Sequence, residues 1–190
     1  MKYIKPFQLL VFLGFVTGFT GCGNRIQPDS NSKDLYDYDV EERIAGMGLV
    51  LSVPAEPVAN YVHAVRSGNL LFLSGKGPRR PDNSFVTGKL GKDITVEEGY
   101  EAARMVGVEQ LSALKAEIGD LNRVVRIVKV LGMVNSDPAF TGQSQVVNGY
   151  SDLMVEVFGE RGKHARAAVG MSSLPLGFAC EIEMIVEVSE

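Results

Sequence analysis

Apolar and polar side chains alternate along "FACEIEMIVEV", residues 178–188. Phe178, Cys180, Ile182, Met184, Val186 and Val188 point one way; Ala179, Glu181, Glu183, Ile185 and Glu187 point the other, as in a strand. A period near 3.6 governs the residues after Thr95. Tyr100, Ala103, Gly107, Leu111, Leu114 and Ile118 recur at spacings of three and four, which puts them on one face of a helix. Thr95 and Glu98 have the spacing of a capping box, and Gly119-Asp120 ends the helix. A second helix is predicted near residues 141–159, with Val146, Tyr150, Met154 and Val157 on a shared face and Gly159 and Gly162 beyond it.

The remaining runs read as strands. "RVVRIVKVLGMV", residues 123–134, is rich in β-branched residues and predicts a central strand. "YVHAVR" and "LLFLSG" predict a hairpin about Ser67-Gly68-Asn69, and "RAAVGM" leads through the turn "SSLPLG" into the last strand. Residues 79–93, rich in Gly, Pro, Asn and Asp, read as a loop with room for one short strand. Two helices and about six strands predict an α+β sandwich, a mixed sheet with both helices on one face.

Composition changes this picture mainly at the N-terminus. Lys2 and Lys5 precede an uncharged stretch, Pro6 to Gly21, that is short for a membrane span and ends in small residues before Cys22. "FTGC" resembles a bacterial lipobox, with Phe19 where leucine is usual. The expectation is a lipoprotein signal at residues 1–21, lipidation of Cys22, and a membrane-anchored protein on the periplasmic or cell-envelope side. A plain secretory signal and an uncut anchor are the alternatives. Residues 22–42 are polar and read as the lipidated cysteine and a tether, so the folded domain is placed at 43–190. The net charge of the whole chain is -4, and loss of the leader removes two lysines and no acid. An acidic chain without tryptophan argues against nucleic acid as a partner. Cys180 is left alone and only His63 and His164 are present, so neither a disulfide framework nor a metal site is expected.

The chemistry concentrates on Arg166 in "KHARAAVGM". A guanidinium does not lose its charge, so a buried one needs an anion. Glu181 or Glu183, across the "SSLPLG" turn, offers a cross-strand ion pair; the functional alternative is a ligand carboxylate held by Arg166 with Glu181 nearby as a base. "LSGKGP" reads as a plain turn after a strand, with an anion nest as the other reading. His63 and His164 have no triad spacing around them. Tyr61 and Asn148 are unremarkable alone, one an aromatic in a strand and the other an amide on a helix.

"HARAAVGMSSLPLGFACEIEMIVEV" resembles the C-terminal block of the RidA family, also called YjgF and labelled L-PSP endoribonuclease in older usage. "PVANYVHAVRSGNLLFLSGKGP" is similar to the family's N-terminal hairpin and "VNGYSDLMVEVFGE" to its second helix. The resemblance spans roughly residues 57–188. It implies a chorismate-mutase-like fold, a six-stranded sheet backed by two helices, and a homotrimer with a ligand cleft at each subunit interface. It also implies hydrolysis of enamine/imine intermediates such as 2-aminoacrylate to 2-keto acids and ammonia, with no cofactor. By this resemblance Arg166 anchors the substrate carboxylate, Glu181 is the acid–base group, and Tyr61, Ser74, Gly75 and Asn148 line the cleft. Ala168 stands where relatives often carry a cysteine, and Lys76 replaces a common glutamine. A non-catalytic trimer that binds a small carboxylate is the alternative function, and endoribonuclease activity is the third.

Overall fold

The computed structural model describes residues 35–57 and 59–190. The leader and Cys22 lie outside the described residues. A short helix, α1 (Val40–Gly46), precedes a hairpin of β1 (Ala64–Ser67) and β2 (Leu70–Lys76). The long helix α2 (Val96–Ile118) leads to β3 (Val124–Asn135), α3 (Gln143–Phe158), β4 (Ala165–Met171) and β5 (Cys180–Val188). The expected capping box is present: Thr95 accepts from the amide of Glu98, and the Glu98 carboxylate accepts from that of Thr95.

The sheet has five strands in the order β1-β2-β5-β3-β4. Only β3 and β4 run parallel; the other neighbours are antiparallel. The expected sixth strand is absent among the described residues. Residues 79–94 make isolated bridges, such as Thr87 to Phe178 and Leu90 to Ser136, but no ladder. Pro81 has no amide hydrogen to donate, and Gly88 and Gly91 turn at φ +123° and +81°, outside strand geometry. "LSGK" is likewise not a turn: β2 continues through it to Lys76 with a bulge.

Both helices cover one face of the sheet, α2 over β2 and β5 and α3 over β3 and β4. They approach closely because Gly149 has no side chain, and a Cβ there would lie 2.0 Å from the backbone oxygen of Tyr100. Leu71, Ile182, Met184 and Val186 from the sheet and Val106, Leu111, Leu153 and Met154 from the helices are buried in one core. Cys180 is buried with them, and burial, aided by the charge of Glu181, pushes its thiol up to about 12.

The chain joins this core earlier than its polar composition implies. Val40 and Ile44 of α1 are buried, the Tyr36 hydroxyl donates to Val124 O at 2.6 Å, and Arg161 donates through Nε to Leu35 O at 2.9 Å. Glu41 forms an ion pair with Lys115 of α2. Residues 35–42, assigned to the tether by composition, are therefore part of the domain. Short aromatic and aliphatic anchors in a polar stretch carry little periodicity, which is why sequence placed the boundary at 43.

The second face of the sheet carries an apolar row. Val65, Phe72 and Ile185 pair in register across β1, β2 and β5, and Leu131 pairs with Ala167 beside them. Val65 is 57% exposed and Phe72 43% exposed.

Candidate active site

Register decides where the two ionic candidates point. Val130 of β3 is paired with Met184 of β5 and with Arg166 of β4, and Val130 and Met184 are buried beneath the helices. Arg166 therefore emerges on the helix side of the edge strand. Met133 is paired with Glu181 and Val169, one step out of phase, so Glu181 emerges on the opposite face. β3 also lies between β4 and β5. The cross-strand ion pair considered for Arg166 with Glu181 or Glu183 is thus not formed. Alternation within β5 was legible; the insertion of β3 between strands adjacent in sequence was not.

The candidates fall into two groups. The first surrounds Glu181. Between the pairs Leu73–Met184 and Lys76–Ile182, Ser74 and Gly75 of β2 together face Glu183 of β5, a β-bulge. Gly75 lies against Glu181, and a Cβ at Gly75 would come within 2.2 Å of Glu181 Oε1. Ser74 ties the bulge to the segment carrying exposed Tyr61: its hydroxyl donates to Val62 O at 2.6 Å and its amide to His63 O at 3.0 Å. The buried Gln110 of α2 holds the other side, its Nε2 donating to Ser74 O at 3.0 Å and Ile182 O at 2.7 Å. Glu181 makes no salt bridge among the described residues. Burial, and then the charge of Glu183, hold its carboxyl above the ordinary range.

Lys76 belongs to the opposite side of β2. It is in register with buried Ile182, and its Nζ donates to His63 Nδ1 at 2.7 Å, while His63 Nε2 donates to Ala55 O at 2.8 Å. Burial lowers the Lys76 pKa, with Glu109 opposing the shift. The lysine that replaces a common glutamine is thus engaged with His63, not with Glu181.

The second group surrounds Arg166. Ser144, Asn148 and Ser151 occur at i, i+4 and i+7 of α3 and form a polar stripe beside β4. Arg166 Nη1 donates to Asn148 Oδ1 at 2.9 Å and Ser151 Oγ at 3.0 Å, and Nη2 donates to Ser144 O at 3.4 Å. The two hydrogens of Nη1 and one of Nη2 are thereby engaged. The Nε hydrogen and the second Nη2 hydrogen have no partner among the described residues, and no carboxylate pairs with Arg166 there. Nε and Nη2 share one edge of the guanidinium, the edge that can take both oxygens of a carboxylate, and only the long Ser144 contact falls on it. Asn148 was singled out by resemblance; Ser144 and Ser151 were not, although their spacing with Asn148 was readable.

A family model described as "YjgF/chorismate mutase-like, putative endoribonuclease" matches residues 41–188. Protein TCP17 of Trypanosoma cruzi is 45% identical over 79% of this chain and 94% of its own length. The 2-iminobutanoate/2-iminopropanoate deaminase of Dermatophagoides farinae is 27% identical over 73% of this chain and 95% of its own. Among solved structures, Atu1372 of Agrobacterium tumefaciens, described as of unknown function, is 42% identical. It superimposes with a TM-score of 0.72 over 79% of this chain and 94% of that one. The α+β architecture, two long helices on one face of a mixed sheet, is that of the chorismate-mutase-like fold. With a family match across the domain and a relative of this identity, the chain belongs to the YjgF/RidA family.

Proposed function

We propose that the protein is an enamine/imine deaminase that hydrolyses a small carboxylate-bearing imine to a 2-keto acid and ammonia. The observation that carries this reading is the pair of unsatisfied groups: Arg166 has an unbonded Nε and no carboxylate partner among the described residues, and Glu181 is a half-buried carboxylate with no cation there. The two face opposite sides of the sheet, so one chain holds two half-sites. A second copy completes the site by setting the Arg166 group of one subunit against the Glu181 group of the next. The exposed apolar row across β1, β2 and β5 supports a homotrimer built through that face.

In this site Arg166 holds the substrate carboxylate and thereby fixes the adjacent imine carbon. Tyr61, Ser74, Gly75 and Asn148 line the cleft. Glu181 takes a proton from water as the water oxygen bonds to that carbon. That proton passes to nitrogen to give a carbinolamine; Glu181 then takes the hydroxyl proton and delivers it to nitrogen as the carbon–nitrogen bond breaks, so ammonia leaves and a keto group remains. An enamine such as 2-aminoacrylate first takes a proton at its terminal carbon to become the imine. A carboxyl poised above its ordinary range suits both roles, base toward water and acid toward nitrogen. No step calls on a cofactor. The relative named as a deaminase supports the same chemistry. The apolar N-terminal run and Cys22, as read in sequence, support anchorage by lipid on the periplasmic or cell-envelope side, and with it a substrate met outside the cytoplasm.

The test is release of ammonia and 2-oxobutanoate from enzymatically generated 2-iminobutanoate, with Arg166→Ala as control. Wild type should exceed the uncatalysed rate and the variant should not. Binding of 2-oxobutanoate without turnover supports instead a trimeric carboxylate-binding module, which needs the Arg166 half-site alone. Salt-sensitive RNA cleavage that survives stringent purification supports the endoribonuclease reading.

A further inference from the structure

Arg166 is linked to a chain of groups that the proposed reaction does not use. Ser151 Oγ, an acceptor for Arg166 Nη1 at 3.0 Å, lies 3.0 Å from His164 Nε2, and His164 Nδ1 lies 2.7 Å from Gly162 O. The direction of every bond is fixed by what the end groups can do. A carbonyl only accepts, so His164 Nδ1 carries its hydrogen. In the neutral ring Nε2 is then an acceptor, so the Ser151 hydroxyl donates to it. That turns a lone pair of Ser151 toward Arg166, which only donates. Burial lowers the pKa of His164 and so favours the neutral ring, with the charge of Arg166 acting the same way and the Gly162 hydrogen bond opposing both. Gly162 is itself buried, and a Cβ there would lie 2.1 Å from Met154 O of α3, so the end of the relay is fixed to the helix that carries Ser151.

We infer that Ser151 and His164 are positioning residues for the carboxylate anchor: through them Arg166 Nη1 is held in place, and the Nε–Nη2 edge is presented to the ligand in one orientation. This rests on the reading of Arg166 as the carboxylate anchor. Without Ser151 the guanidinium is held only by Asn148 and the long 3.4 Å contact with Ser144 O. Two acceptors on one nitrogen, the second fixed by the histidine, define the plane in which a ligand carboxylate must lie. Neither residue touches the ligand in this arrangement.

The experiment uses the purified protein with 2-oxobutanoate as the probe, in wild type, Ser151→Ala, His164→Leu and His164→Gln. The glutamine Oε1 replaces the acceptor at Nε2, whereas leucine removes it. Calorimetry should show 2-oxobutanoate bound about tenfold more weakly in Ser151→Ala and His164→Leu, the loss of one bond to a charged group, and within about twofold of wild type in His164→Gln. Turnover of 2-iminobutanoate should show the same loss in KM with kcat kept, because an anchor binds substrate and transition state alike. Solvent exchange of the Arg166 Nη1 hydrogens, which the relay holds, followed by NMR without ligand, should quicken in the first two variants and not in the third. Equal weakening in His164→Gln and His164→Leu, or exchange unchanged in Ser151→Ala, overturns the inference. If wild type binds no 2-oxobutanoate, the carboxylate reading itself fails, and the exchange measurement still decides whether Ser151 and His164 hold Arg166.

Discussion

At the scale of single residues, the site depends on spaces left empty as much as on groups present. Gly75 lets the Glu181 carboxylate lie against the bulge, and a Cβ would strike the mobile end of that side chain, not backbone. Gly75→Ala should therefore fold with nearly wild-type thermal stability yet lose about a hundredfold in kcat/KM, read by thermal melting beside ammonia release. Glu181 also has a predictable pH response. Burial and then the charge of Glu183 both raise its pKa, so the ionised base appears only above the ordinary carboxylate range. Glu183→Gln removes the second cause and leaves the first. The acid limb of kcat/KM against pH should then move to lower pH without reaching that of an exposed glutamate. Arg166 and Glu181 were conspicuous in sequence, a charge in a small apolar strand and an acid in an alternating one, but the roles proposed for them came from the family resemblance. Ser151 and His164 were not conspicuous, because their meaning lies in hydrogen bonds between α3 and the start of β4.

At the scale of elements, periodicity and capping carried far. The long helix begins at the capping box formed by Thr95 and Glu98, and β5 alternates as its sequence does. What failed were features set by neighbours. The sixth strand did not form because residues 79–94 bend at glycines, and β4 lies beside β3 instead of β5. No local pattern in "RAAVGM" encodes its partner. Helix packing offers a quantitative check. Gly149→Ala pushes a methyl group into the Tyr100 carbonyl of α2, backbone that cannot rotate away. It should destabilise the fold by about 3 kcal/mol in urea unfolding, as overpacking does. Thr95→Ala, which removes one cap, should cost only about 1 kcal/mol. The reverse ranking would mean that the α2–α3 contact is not what holds the helix layer.

At the scale of the molecule, the sheet has one face beneath helices and another bearing an apolar row, and Arg166 and Glu181 lie on different faces of one chain. Sequence alternation in β5 hinted at a second packed face; the separation of Arg166 from Glu181 became visible only with strand order. If that face is where subunits meet, Phe72→Glu should convert a trimer into monomers in sedimentation and abolish turnover while Arg166 and Glu181 remain in place. Everything proposed for the reaction depends on one active site taking Arg166 from one subunit and Glu181 from another, and mixing two inactive variants probes that arrangement. Arg166→Ala and Glu181→Ala chains, each inactive alone, are unfolded together at equal concentration, refolded, and assayed for ammonia release from 2-iminobutanoate. Random assortment around a closed ring pairs an intact arginine with an intact glutamate at about a quarter of the interfaces. A shared site should therefore restore about a quarter of wild-type activity; a mixed oligomer as inactive as its parents, beside an active wild type treated identically, would contradict it.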